Sequence, residues 1–435
     1  MMKKIIESKE EIGYIFYLFL AFVFLLPLER IGSFNFNGIN IRFSQILILI
    51  IFFIYLIFSF YKKNIKVNLP PSLVFYILFL SFSLLSLINA YDKNRGIMLL
   101  LFLFFMVLVP YLSVTLINCK EKLKKVIYIF ILSAVIASLF GIFQFLGDFI
   151  GLSSSITGIS SRYAKEVLGF PRIQSTFIEP LYFANYLLIP LILSYFFLFK
   201  KIDPKKNMFF ILSFLLFLIC IFLTFSKGAA LSIFIILLGL VLFQLRSILN
   251  KNNIKYLLLI IIFIISISWG AFNILRSKPD FEKVYTKAYN IITGASITER
   301  QEAYLIALEA FENNPVLGIG VGGFGPYFSG YPIHPPDFGW SIVNNQYLEV
   351  LAENGILGFV SFMIFLISIF YYSIFAYRKT RDIFLRNILL ALNFAFLGVL
   401  IQYMTFSTLY IMHIWFLIGL ILATQNLALK NKYDK

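Results

Sequence analysis

Asn344-Asn345-Gln346-Tyr347-Leu348-Glu349-Val350-Leu351-Ala352-Glu353-Asn354-Gly355-Ile356-Leu357-Gly358 closes the one long polar stretch of this chain, which begins at Arg276. On both sides of it, apolar runs of bilayer length follow one another with short charged connections. That contrast decides the fold: the spans are a scaffold, and residues 276–354 are an insert held at one membrane face. Inside the insert, Thr298 followed by Gln301 reads as a capping box that opens a helix. Tyr304, Leu305, Leu308 and Phe311 recur at helical spacing until Asn313-Asn314-Pro315 stops it. A glycine-rich turn, Gly318 to Gly325, and a proline-rich loop around His334 lead to a second helix, which Gly355 is expected to end.

Composition agrees. The chain is 60% hydrophobic and 13% charged over 435 residues, with a mean hydropathy of +0.89, which excludes an ordinary soluble domain. The expected fold is an all-α polytopic membrane protein with about twelve spans, near 12–28, 41–61, 71–89, 96–118, 124–146, 178–199, 208–223, 229–245, 254–275, 355–377, 384–406 and 408–428. The domains are then 1–275 with nine spans, the insert 276–354, and 355–435 with three spans and a tail. The first apolar run follows Lys3, Lys4 and Lys9 but ends in Leu26-Pro27-Leu28-Glu29-Arg30 without a small-x-small cleavage site, so it is expected to stay as the first span. Cys119, beside a lysine cluster, and Cys220, inside an apolar run, are expected at different depths and therefore unbridged.

The net charge of +16 does not imply nucleic acid, because the lysines and arginines lie in short clusters between apolar runs. Most of the 37 fall at Lys3–Lys9, Lys62–Lys66, Lys120–Lys125, Lys200–Lys206, Arg246–Lys255, Arg378–Arg386 and Lys430–Lys435, alternate connections of the twelve-span layout. With those segments cytoplasmic, both termini are inside and the insert is outside. The same parity sends Arg172, Lys227 and Arg300 to the outer face. Lys227, in Thr224-Phe225-Ser226-Lys227-Gly228-Ala229, lies between two spans with almost no loop, where an ammonium either snorkels or has a function. Arg172 has Glu179 as an alternative partner, and Arg300 has Glu299 and Glu302. Three converging cations suit an anionic lipid headgroup, because fixed positive charge stabilises a diphosphate both bound and leaving.

Other constellations carry less. The glycines from Gly318 have dinucleotide-like spacing but no strand-turn-helix around them, so a flexible or close-packed turn is the better reading. His334 offers a general base near the cations or a plain loop histidine, and His413 is expected to be hydrogen-bonded and structural. Two distant histidines and no Cys-x-x-Cys make no transition-metal site, so no metal and no cofactor are expected.

Arg300 opening a helix, then Asn314-Pro315-Val316-Leu317-Gly318-Ile319-Gly320, then Asn345 with Gly355-Ile356-Leu357-Gly358 after nine residues, resembles the O-antigen ligase and O-antigen polymerase family of envelope glycosyltransferases. Arg172 to Asn185, ending Phe183-Ala184-Asn185-Tyr186-Leu187, and Thr224 to Leu231 resemble that family too. The resemblance implies a GT-C-like membrane fold in the bacterial inner membrane and a large periplasmic loop between spans nine and ten. It also implies metal-independent, inverting transfer of a glycan from undecaprenyl diphosphate to an acceptor hydroxyl. The implied partners are that lipid-linked donor, a glycan or lipid A core acceptor, membrane lipids and a chain-length regulator, with no nucleic acid. By match, Lys227 stands where the ligases use an arginine on the diphosphate, and Arg300 matches their essential insert arginine. Asn344 stands where ligases place a histidine. Either His334 or Glu349 takes the proton, or Asn344 and Asn345 orient the hydroxyl, or the chain is a polymerase. A flippase or transporter, the alternative class, would call for mid-span ionisable groups or paired inverted repeats, and neither is seen.

Overall fold

A computed structural model describes residues 2–30, 32–36, 39–61, 69–159, 166–167, 170–198, 204–248, 269, 295–331, 340–407 and 409–430. The chain runs α1 (Met2–Leu25), a hairpin of β1 (Phe34–Phe36) and β2 (Ile39–Ile41), then α2 (Phe43–Tyr61) and α3 (Pro71–Ser86), which a 3-10 turn extends to Asn89. Next come α4 (Lys93–Met106), α5 (Leu108–Leu116), α6 (Lys120–Phe149), the short α7 (Ser154–Thr157), α8 (Pro180–Leu198), α9 (Pro204–Leu223) and α10 (Lys227–Ile248). The insert contributes α11 (Ala295–Asn313) and α12 (Phe324–Phe328), and the chain finishes with α13 (Gln346–Lys379), α14 (Ile383–Gln402) and α15 (Met412–Lys430). The antiparallel hairpin, in the register Phe34↔Ile41, is an addition to the all-α expectation.

Among the described residues, eight helices are long and apolar enough to cross a membrane, α4 and α5 forming one of them together. Three shorter apolar helices, Gly13–Leu25, Asn207–Leu223 and Lys227–Leu240, stand where three further spans are expected. Of the expected span 254–275, residue 269 alone is among the described residues. The spans pack into one apolar core, α13 along α3, α15 against α5 and α8 against α9. A second, smaller core belongs to the insert, where Ala303, Ile306, Ala307 and Ala310 of α11 meet Ile319, Phe324, Phe328, Val343 and Ala352.

The turns sort themselves to two ends. At one end, Arg30 N donates to Thr176 O at 2.9 Å, Tyr91 N to Ile319 O at 3.0 Å, Ile173 N to Leu223 O at 3.2 Å and Gln346 N to Tyr403 O at 2.7 Å. At the other, Lys120 pairs with Asp382. Thus the connections read as sharing the insert's side do share it, and two of the lysine- and arginine-bearing connections meet at the opposite end. Both cysteines are free, Cys119 preceding α6 and Cys220 within α9, its thiol donating to Ser138 O.

Two local expectations need correction. α11 begins at Ala295, so Thr298 sits within its first turn and is not the N-cap of a capping box. The second insert helix does not stop at Gly355 either: it continues as the next span across a kink at which Gly355 has φ 61° and ψ −167°. Glycine alone adopts that conformation comfortably, so the residue redirects the axis without ending the helix.

Candidate functional site

The turn between α14 and α15, residues 403–411, anchors the insert. Besides accepting from Gln346 N at Tyr403, it returns Leu409 N to Gln346 Oε1 at 2.8 Å, and Leu409 O accepts from Trp415 Nε1 at 2.7 Å. Arg300, in the second turn of α11, donates from Nη1 to Thr405 O at 3.1 Å. Tyr304, one turn further, shares its hydroxyl between Asn344 O and Met404 O, each at 3.4 Å. The start of α10 presses on the same place: a Cβ on Gly228 would lie 2.4 Å from Thr405 Oγ1. Lys227, the first residue of α10 and exposed, is therefore beside the turn that holds Arg300. Arg172 reaches the other side of that junction, its Nε donating to Thr224 O at 2.9 Å. The three cations read from the sequence are thus gathered around two touching turns, 223–227 and 403–407.

Burial lowers the Arg172 pKa, against the favourable field of Glu179. Burial likewise raises Glu179, to about 6, although Arg172 opposes the shift and Glu29 adds to it. Arg172 and Glu179 do feel each other, as the alternative reading had it, but the guanidinium's hydrogen bond goes to a backbone carbonyl.

Backbone strain collects here. Among the described residues, Ser175 (φ 53°), Phe225 (φ 51°) and Asn344 (φ 58°) are the non-glycine residues with positive φ. The first lies three residues from Arg172, the second two from Lys227, and the third is itself a predicted site residue. Each such conformation costs on the order of 1–3 kcal/mol and persists only where the surroundings over-determine it. For Ser175 they do: its N–H donates to Gln144 Oε1 at 2.7 Å, its hydroxyl to Ala137 O at 2.6 Å, and its carbonyl accepts from Arg30 and Gln144.

Asn344 is half-exposed, and its amide nitrogen donates to Ile342 O at 3.4 Å. Asn345 has a structural task as the N-cap of α13, its Oδ1 accepting from Tyr347 N at 3.0 Å and Leu348 N at 3.2 Å. Asn345→Ala is therefore expected to cost about 1 kcal/mol of stability, while Asn345→Asp keeps the cap; thermal melts of the detergent-solubilised variants check this. Glu349 is buried and accepts from Val343 N at 3.3 Å, tying the extended segment before α13 to its first turn. His334 lies outside the described residues.

The glycine-rich turn is a brace. Gly318, Gly320 and Gly322 all have positive φ. A Cβ on Gly320 would come within 2.5 Å of Ala90 Cα, and one on Gly318 within 2.4 Å of the Glu353 carbonyl carbon. Backbone and side chain of this protein already fill the room a nucleotide would need. Arg95 and Glu353, which sequence reasoning passed over, hold the brace: Arg95 Nε donates to Gly322 O at 2.9 Å and stacks over Trp340, and Glu353 Oε1 accepts from Phe324 N at 3.1 Å. Arg95 lies in the first turn of α4 behind an Asp92 cap, with nothing local to mark it.

His413 has the hydrogen-bonded place expected of it, in the first turn of α15. Its Nε2 lies 2.8 Å from Asn185 Oδ1, and Asn185 Nδ2 donates to Gln402 Oε1. All three side chains are buried, and Asn185 belongs to one of the segments whose resemblance was noted.

No curated protein matches the chain. Residues 212–363, which include Lys227, Arg300, Asn344, Asn345 and Glu349, match the family model described as O-antigen ligase, and this supports the assignment of the chain to the O-antigen ligase and polymerase family.

Proposed function

We propose that the protein transfers a glycan from an undecaprenyl-diphosphate carrier to an acceptor hydroxyl at the outer face of the inner membrane, and that it does so as a polymerase of lipid-linked repeat units. The observation that carries this is the docking of Arg300 on Thr405 O, against the start of α10 where Lys227 stands. A diphosphate leaving group develops negative charge as the anomeric C–O bond breaks, and preorganised cations stabilise it more in the transition state than in the ground state. Arg300, Lys227 and Arg172 supply that charge. The acceptor oxygen attacks the anomeric carbon from the face opposite the diphosphate, which inverts the centre. The half-exposed Asn344 amide orients the hydroxyl, and its proton passes to His334 or Glu349. An amide cannot take that proton itself, and this departure from the ligase pattern favours the polymerase.

A ligase that attaches a finished polymer to a lipid A core acceptor is the second reading, favoured by the description of the matching family. Purified protein in liposomes, given one lipid-linked repeat unit and no other acceptor, separates them by mass spectrometry of the lipid-linked products. Growth by whole repeats is the expected result. Transfer only after a core-type acceptor is added identifies the ligase, and no transfer with either acceptor overturns the proposal.

The mechanism also requires the insert end to face outward. With Cys119 and Cys220 replaced by serine, an impermeant maleimide applied to spheroplasts is expected to label Ser329→Cys, an exposed insert position, and to spare Arg381→Cys at the opposite end. The reverse pattern would overturn the orientation.

A further inference from the structure

Asn185, Gln402 and His413 come from three different helices, and each is fully buried. Polar side chains in such a place cost about 2–7 kcal/mol each unless hydrogen-bonded, and apolar residues of similar size would fill the space without that demand. Their bonding has a direction. Asn185 spends its amide nitrogen on Gln402 Oε1, so its oxygen faces His413, and Nε2 of that ring carries the hydrogen between them. Nδ1 then faces the buried carboxylate of Glu29 at 3.7 Å, which Arg42 approaches at 3.8 Å from the other side. Gln402 is the last residue of α14, and its backbone carbonyl accepts from both Thr405 N at 2.8 Å and Thr405 Oγ1 at 3.0 Å. Thr405 O, in turn, is the acceptor for Arg300. A continuous set of polar contacts therefore runs from Glu29, through three buried side chains, to the insert's guanidinium.

We propose that Asn185, Gln402 and His413 are positioning residues that hold turn 403–407, and through Thr405 the guanidinium of Arg300, in the geometry needed to meet the carrier diphosphate. Hydrogen bonds between buried side chains hold their partners in one geometry more firmly than bonds exposed to water, and a displacement of the order of 1 Å at a reacting group can cost about 10²-fold in rate. The turn's other ties, through Gln346 and Trp415, do not pass through the array, so removing one of its members leaves the turn folded but free to shift. The inference rests on Arg300 acting on the diphosphate, as proposed for the function.

The test uses the full-length protein in nanodiscs, read by rate of transfer at saturating lipid-linked substrate and by hydrogen–deuterium exchange of segments 295–313 and 403–411. Asn185→Leu and His413→Leu are expected to lower the rate about tenfold or more and to speed exchange in both segments. His413→Gln, which keeps an N–H close to the position of Nε2, restores most of both. In an Arg300→Lys background, Asn185→Leu is expected to cost less than about threefold further, because what it positions has already been lost; equal losses in both backgrounds would mean a purely structural role and overturn the proposal. It also falls if His413→Gln is as impaired as His413→Leu, or if rate and exchange stay unchanged in both leucine variants. If exchange responds as expected while Arg300→Ala transfers like the parent protein, the array still sets Arg300's geometry, and it is the diphosphate role of Arg300 that falls.

Discussion

Arg300→Ala, reconstituted in liposomes with a lipid-linked repeat unit, is expected to lose about 10²–10³-fold in transfer rate while keeping its place in the membrane. That is the usual effect of removing one preorganised donor from a developing anion. The structural cost is small: among the described residues, the guanidinium makes one hydrogen bond, to a backbone carbonyl of a turn that several other contacts hold. The catalytic cost is large because a preorganised cation meets the developing charge without the reorganisation that mobile water or ions would need. Lys227→Ala is expected to follow, since Lys227 opens α10 beside the same turn. Arg300→Lys should fall between the parent and Arg300→Ala, retaining charge without the planar fork that matches phosphate oxygens. Product sizing by mass spectrometry, together with melting curves, checks the series. Full activity in both alanine variants would sink the assignment of these cations to the diphosphate.

Gly355→Ala is expected to have a large effect on folding. Its φ of 61° with ψ of −167° belongs to a region that other residues enter at a cost of order 1–3 kcal/mol. The added Cβ would also stand 2.4 Å from the carbonyl carbon and oxygen of Val316, which are backbone and cannot rotate away. The two strands of chain that meet here are tied on both sides, Ile319 N to Ala352 O at 3.0 Å and Ile356 N to Pro315 O at 2.9 Å. The methyl must therefore part the glycine brace from α13. A loss above about 3 kcal/mol is expected from strain and overlap together, visible as a sharply reduced yield of monodisperse protein and a lower Tm. Gly13→Ala is the control: nothing lies within 4 Å of the added Cβ, and in the interior of α1 alanine should be neutral or better. Equal melting temperatures for Gly355→Ala and Gly13→Ala would refute this account of the kink.

The motif elements legible along the chain were those with a local cause. Asn345 and Gly355 stood out as members of one motif, with Gly355 read as a helix end; the structure makes Asn345 the cap of α13 and Gly355 its kink, both settled among neighbours in sequence. Thr298 shows the limit of the same reasoning. It has the right residue three positions later, but helix ends are the least sharply encoded part of a helix, and α11 starts earlier, at Ala295. The glycines at 318, 320 and 322 were legible as a turn, but only the packing reveals that Ala90 on one side and Glu353 on the other leave no space for a side chain.

By itself the sequence determined the membrane class, the placement of eight spans among the described residues, and the gathering of the turns bearing Arg172, Lys227 and Arg300 at one end. Those follow from hydrophobic runs of fixed length and from alternation, which are one-dimensional properties of a chain crossing a slab. What the tertiary structure alone decided is how the gathered groups are held. Arg300 meets Thr405 over a separation of 105 residues, Arg95 meets Gly322 over 227, and His413 meets Asn185 over 228. No period, cap or composition shift accompanies such a pairing. The partners are ordinary polar residues at helix ends, and they become a positioning array because an apolar bundle leaves a buried polar group no partner except another one brought to the same depth.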